Sequence, residues 1–191
     1  MPETANKVRF GLQNVYIVPF AEGGEYGSPI KVPGAVSLTT TPEGDSSVFY
    51  ADNLAYYTAV TNAGYTGELQ MAYIPDDAKV AMGLGVIDKN GAFYEDADLV
   101  AKPFALLFEV KGDSRNRRNV FYNVTAARPE SEDKTTEDST EPSTETLAIT
   151  MIPQDINGKN ITKLSIEKSD TNQAVYDKFF TSVVKPDEEA A

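Results

Sequence analysis

Two carboxylate pairs, Asp76-Asp77 and Asp96-Asp98, are the tightest candidates for chemistry in the chain. Carboxylates this close can flank a glycosidic bond or hold a hard cation. Each pair also has a plainer use. Asp76 and Asp77 follow Pro75 at the head of "PDDAKVAMG" (75–83), where the positive end of a helix favours acids. Asp96 and Asp98 fall in a polar loop. The stretch "DKNGAFYED" (88–96) has the outline of a calcium loop. It lacks the alternating acids and the closing glutamate at the required spacing, so it reads as a turn at Asn90-Gly91. The chain has no histidine and no cysteine. That removes the Ser-His and Cys-His nucleophile pairs, thiolate metal sites and disulfides. "GLG" (83–85) has no strand–GxGxxG–helix context and carries no nucleotide signal. No catalytic residue, cofactor site or metal ligand is assigned.

Charge narrows the partners. The 191 residues carry 29 acids against 17 bases, a net charge of −12. A nucleic-acid binder that works through phosphate contacts needs clustered Lys and Arg, so that class is disfavoured. One basic cluster exists, Lys111, Arg115, Arg117 and Arg118 in "KGDSRNRRN" (111–119). In an acidic protein its natural counterparts are carboxylates, its own or a neighbour's. Such carboxylates are concentrated in "PESEDKTTEDSTEPSTET" (129–146): Glu130, Glu132, Asp133, Glu137, Asp138 and Glu141 among them. This segment has no large apolar residue to offset its ordering entropy and reads as a mobile loop in the isolated chain. A solvated hairpin turn is the competing reading of the basic cluster. "NVT" (123–125) and "NIT" (160–162) match glycosylation sequons, but "MPETANKVRF" shows no secretory leader. The longest near-apolar run, "VYIVPFA" (15–21), is too short to span a bilayer.

The elements that position these residues are mostly strands. "NVYIVPF" (14–20), "IKVPGAVSLTTT" (30–41), "YTGELQMAYI" (65–74), "RRNVFYNVTAA" (117–127), "LAITMI" (147–152) and "ITKLSIEK" (161–168) are rich in β-branched and aromatic residues. "SVFYADNLAYYTAV" (47–60) reads as two strands around a turn at Asp52-Asn53. Its Phe49, Tyr56 and Tyr57 read as aromatics of the core or of a seam between subunits. In 65–74, Tyr65, Leu69, Met71 and Tyr73 share one face, and Thr66, Glu68 and Gln70 the other. "PFALLFEV" (103–110) is apolar on both faces, as a covered central strand must be. In 117–127, Val120, Tyr122 and Val124 are placed on one side. Helices are expected over 75–83 and 171–183, the latter with Val175, Phe179 and Val183 on one side. One domain over 1–191 is expected, with an N-terminal arm (1–7), the acidic loop (129–146) and a frayed tail (185–191).

Six segments in order, "PEGD" (42–45), "FYADN" (49–53), "NAGYTGELQMAYIPDD" (62–77), "FALLFEVKGD" (104–113), "RRNVFYNVTAARP" (117–129) and "EPSTETLAIT" (141–150), resemble the phi13-type major tail proteins of siphovirus-like bacteriophages. The resemblance covers about residues 7–180. It departs at Val124, where relatives often carry cysteine after "YN", and 78–100 matches more loosely. It implies a mainly β fold with one or two short helices: two packed antiparallel sheets, as a β-sandwich or half-barrel, flanked by a helix. It also implies hexameric rings that stack into a tail tube around a tape-measure protein, with tail terminator and distal tail proteins as further partners. Double-stranded DNA then passes through without specific binding, in a virion tail assembled in the host cytoplasm. Under that resemblance the acidic loop and the basic cluster face each other between rings, and Thr66, Glu68 and Gln70 face the bore. Two other classes stay open: a receptor- or carbohydrate-binding β-sandwich, and a carboxylate hydrolase.

Overall fold

The computed structural model describes residues 10–21, 23–51, 53–131 and 142–187. Its strands, in chain order, begin with β1 (Leu12–Pro19), β2 (Ile30–Val32), β3 (Ala35–Glu43), β4 (Ser46–Ala51), β5 (Leu54–Val60) and β6 (Gly64–Met71). After helix α1 (Asp76–Ala81) come β7 (Val86–Ile87), β8 (Phe93–Tyr94), β9 (Phe104–Val110) and β10 (Arg118–Ala126). β11 (Glu130–Ser131), β12 (Glu145–Ile152), β13 (Gln154–Ile156), β14 (Lys159–Ile161), β15 (Lys163–Ile166) and α2 (Gln173–Asp177) complete the order. The fold is mainly β, as expected: one large antiparallel sheet in the order β2-β1-β9-β10-β12-β6-β3, with β11 on β12 and β15 on β10, and three two-stranded sheets.

The large sheet rolls up. β9 lies inside it, between β1 and β10, and is buried on both faces. Its Phe104, Leu106 and Phe108 enter one core, inside the roll, with Ile17, Leu69, Met71, Phe121 and Leu147. Its Ala105 and Leu107 enter a second core on the outer face, with Val18, Val120, Tyr122 and Phe179. α1 plugs the first core through Ala78 and the adjoining Ile74 and Met82. The segment around α2 covers the second, through Phe179, Phe180, Val183 and Val184.

Two bulges set which side chain enters which core. Asn14 adopts a positive φ of 51°, and the β1–β9 register shifts between Gln13 and Tyr16. The extra residue lets Leu12 and Val15 face the same core. A second shift lies between Phe121 and Val124. It moves Val124 to the inner core, away from Val120 and Tyr122, which corrects the strict alternation expected for that strand.

β2 and β3 form one strand broken at Pro33-Gly34. β2 pairs with β1, and β3 then crosses to pair with β6. Gly34 (φ +82°) is needed at the crossing, because a Cβ there would sit 2.9 Å from the Ala72 Cβ. Beyond the crossing β1 and β3 diverge. Among the described residues, β3 pairs only with β6.

One further expectation is corrected. Val175 is 45 % exposed, and α2 buries Tyr176 instead. Of the tail expected over 185–191, residues 185–187 are described, and contacts tie down their start. The Tyr122 hydroxyl donates to the Val184 carbonyl (2.8 Å), the Asn157 amide donates to the Pro186 carbonyl (3.3 Å), and Lys185 lies 3.2 Å from Glu25.

Candidate assembly surface

The roll has two ends. One carries the β9–β10 turn (111–117), Leu12 and the junction of Glu43 with Gly64. The other carries Phe104, Ala126, Glu145 and Ala35. They are called the turn end and the helix end.

At the turn end the β3–β6 ladder continues as β4 and β5. Thr61 N–H donates to the Asp45 carbonyl (2.8 Å) and Ala63 N–H to the Glu43 carbonyl (2.9 Å), so the two hairpins form one ribbon. Asn53, at φ +61°, turns its tip. β4 and β5 pair only with each other among the described residues. On this ribbon Tyr56 is 77 % exposed, Tyr57 64 % and Leu54 71 %. The β4–β5 register shifts between Phe49, opposite Tyr57, and Tyr50, opposite Ala55, which leaves Tyr56 as the added residue of a bulge. Their exposure corrects the core reading of Tyr56 and Tyr57; the side chain of Phe49 lies outside the described residues.

A second surface lies on the outer face of β3, β6 and β12. Thr66, Glu68 and Gln70 point outward, away from buried Leu69 and Met71, as alternation predicts. Their cross-strand partners are Thr41, Thr39 and Ser37 on β3 and Thr150, Ala148 and Thr146 on β12. Of these nine residues only Glu68 is charged. Thr66 donates to Glu43 (2.8 Å), Ser37 to Gln70 (3.2 Å) and Gln70 to Thr144 (2.9 Å). These nine residues make a low, hydroxyl-rich carpet, with exposed Val36 and Ile152 near its margins. Tyr73, expected on the apolar face, lies beyond the strand and is 56 % exposed.

The four cations at the turn end divide into two kinds. Arg117 grips buried Asp113 with two bonds (2.7 and 3.2 Å), and that hydrogen bonding raises the guanidinium pKa further. Arg118 donates to Glu109 (3.2 Å) and to the Tyr176 carbonyl, and its guanidinium lies 4.0 Å from the Tyr176 ring centre. Arg117 thus closes the β9–β10 turn on itself, and Arg118 fastens the hairpin to α2. Arg115 is exposed, 3.9 Å from Glu167, and Lys111 is exposed beside it in the turn. Glu130 pairs opposite Thr146 on β11, toward the helix end, and is exposed. Glu132, Asp133, Glu137, Asp138 and Glu141 lie outside the described residues.

The carboxylate pairs serve local backbone. Asp76 and Asp77 open α1, where Asp77 accepts from the Ala78 N–H (2.8 Å). Asp96 accepts from the Asp98 N–H (3.0 Å). Asp88 accepts from the Ala92 and Asn90 N–H groups (2.8 Å each), which hold its pKa below the ordinary carboxylate value. Among the described residues, no three of His, Cys, Asp and Glu are grouped to hold a metal, and no helix is long and apolar enough to cross a membrane.

One arrangement was not read from the sequence. Glu145 accepts from Lys79 (2.6 Å) and from the Ile74 N–H (2.5 Å), joining β12 to α1. Lys79 lies 5.8 Å from the ring centres of both Tyr73 and Phe93. Its partners are 66 positions apart in sequence, so only the fold brings them together.

No protein-family model matches the chain, and no curated protein aligns with it significantly. Among solved structures, a chain of the 6-fold symmetrised anti-feeding prophage baseplate superposes with a TM-score of 0.44 at 8 % identity, covering 86 % of this chain and 98 % of its own. A type six secretion system protein superposes with a TM-score of 0.36 at 12 % identity, covering 81 % and 94 % respectively. Overlaps this loose bear on neither function nor assembly.

Proposed function

We propose that the chain is a structural, non-catalytic subunit that self-assembles: a major tail protein of the phi13 type, forming hexameric rings that stack into a tail tube. One observation carries the reading, the arm with exposed Leu54, Tyr56 and Tyr57 continuing from an edge strand. A lone two-stranded ribbon is marginal in water, and an unpaired strand edge invites pairing with another chain. Both features are liabilities in a monomer and assets in a polymer. The six ordered segments in the sequence point the same way.

Charge supports stacking. Lys111 and Arg115 lie at the turn end and Glu130 at the helix end. They cannot meet within one chain, but copies stacked end to end bring them together. The hydroxyl carpet suits a bore. Thr66, Glu68 and Gln70 face a passing duplex with small polar groups and one negative charge, which repels phosphate. DNA then passes without being held, in a virion tail built in the host cytoplasm with tape-measure, terminator and distal tail proteins.

A glycan-binding module is favoured by the exposed Tyr56 and Tyr57. Both, however, lie on a two-stranded ribbon that among the described residues pairs with no other strand, a poor support for a rigid stacking platform. Negative-stain microscopy of concentrated protein separates the readings. Rings or tubes with sixfold end views are expected. Monodisperse monomers at every concentration, together with binding on a glycan array, would replace the tube with the module.

A further inference from the structure

Among the described residues, the roll is split by an open wedge of about 370 Å³ where β1 and β3 diverge. Leu12, Leu38, Phe108 and Phe121 line it, with Phe10 on the rim, 58 % exposed. The Lys163 ammonium sits at the same opening, 5.2 Å from the Phe121 ring centre. The wedge's large lining side chains are apolar, and a lysine stands at its lip. The arm is its complement in both respects. Leu54, Tyr56 and Tyr57 are exposed, and the stretch 42–61 holds Glu43, Asp45 and Asp52 with no Lys or Arg.

We propose that the wedge receives the arm of a second copy of this chain, the arm's apolar residues entering between β1 and β3 while its acids face Lys163. This rests on the self-assembly reading and adds to it a donor, an acceptor and a direction. The wedge lies between the Leu12 end of β1 and Leu38–Thr40 of β3, on the half of the roll from which the arm projects. Contact between them therefore joins copies side by side, within a tier rather than between tiers. Donor and acceptor are different patches, so the contact is head-to-tail and closes into a ring when its rotation closes. The edge of β3 that β6 leaves unpaired borders the wedge and can bond the incoming ribbon as an added strand.

The chain has no cysteine, which makes disulfide trapping unambiguous. One preparation carries Tyr57→Cys and another Phe10→Cys, both at exposed positions. The two are mixed at the concentration where assemblies form, oxidised, and run on a non-reducing gel beside each preparation alone, with microscopy on the same samples. A linked dimer confined to the mixture is expected. Assemblies without that mixed dimer overturn the wedge as acceptor and leave self-assembly standing. The mixed dimer with only pairs in the micrographs supports the wedge and refutes the tube. Neither dimer nor assembly, at concentrations carried to more than about 30-fold above the wild-type threshold, refutes both.

Discussion

Replacing both exposed tyrosines of the arm, Tyr56→Ser with Tyr57→Ser, separates folding from assembly. In the monomer these side chains are 77 % and 64 % exposed, so their loss removes little that the isolated fold uses. Surface changes of this kind fall within about 0.5 kcal/mol of neutral. Between copies the outcome differs. A tyrosine offers about 150–250 Å² to bury. With the fractions above, on the order of 100 Å² per ring is still wet and awaits a partner. At about 25 cal/mol per Å² that is roughly 2.5 kcal/mol per ring. Ordering each side chain costs about 0.5–1.5 kcal/mol, leaving about 1–2 kcal/mol per ring. For the pair, the critical concentration should rise about 30-fold to several hundred-fold. Sedimentation velocity over a concentration series reads that number, and urea unfolding reads the fold. Assembly at the wild-type concentration would show that the arm is not buried between copies. A large drop in the urea midpoint would show that the rings already serve the monomer.

Three further outcomes test the fold that presents this arm. Glu145→Ala leaves the Lys79 ammonium and the Ile74 N–H without their shared acceptor and should cost about 3 kcal/mol in urea unfolding. Glu145→Gln with Lys79→Met keeps an acceptor for Ile74, removes the lone charge, and should recover most of the loss; equal damage from both variants would refute the account. Gly67→Ala would set a Cβ 2.0 Å from the Thr39 carbonyl oxygen, forcing β3 off β6; a loss of about 1–3 kcal/mol is expected, with hydrogen-exchange protection lost first in β3. Burial, with the charge of Glu25, pushes the Tyr26 hydroxyl from its ordinary 10.0 up to about 12, and burial raises Tyr122 as well. The unfolded chain then releases these protons first, so stability falls as pH rises from about 10 toward 12. Tyr26→Phe should flatten that decline in the urea midpoint, and an unchanged slope would count against it.

Local chemistry made part of this legible. "FALLFEV" could only be a strand covered on both faces, and β9 is one. Pro75, the two acids after it and Gly83 bounded α1 because helix ends have local rules. Alternation placed Thr66, Glu68 and Gln70 on one face because β6 has no bulge. The same rule failed at Val124, where an added residue reverses parity, and nothing in "FYNV" announces a bulge. Tyr56 and Tyr57 could be read as core or seam because aromatic content does not say who covers it. Arg117 and Arg118 looked available for a neighbour, but Asp113, four residues before Arg117 in the same turn, holds the first, and Glu109 and Tyr176, set beside it by strand pairing and tertiary packing, hold the second. The hydroxyl carpet needed the register of three strands, which alternation within one cannot supply.

The two unfinished features share a strand, and that has a consequence for assembly. β3 borders the wedge and is also the root from which β4 and the arm continue. An arm seated in the wedge would give β3 a second neighbour and fix the ladder that its own arm extends. The receiving copy is then a better donor than it was when free. Binding that orders a segment needed for the next binding event lowers the cost of that event, which is positive cooperativity without any second conformation of the core. Early contacts between two copies should therefore be weak and later additions stronger. Assembly of such a chain should show a sharp concentration threshold rather than a gradual series of dimers, trimers and tetramers. Lightly crosslinked samples just below the threshold should hold monomers and closed rings with little between them. An even ladder of open oligomers would mean that β3 is equally ordered in the free and the occupied copy, and that the arm and wedge act independently.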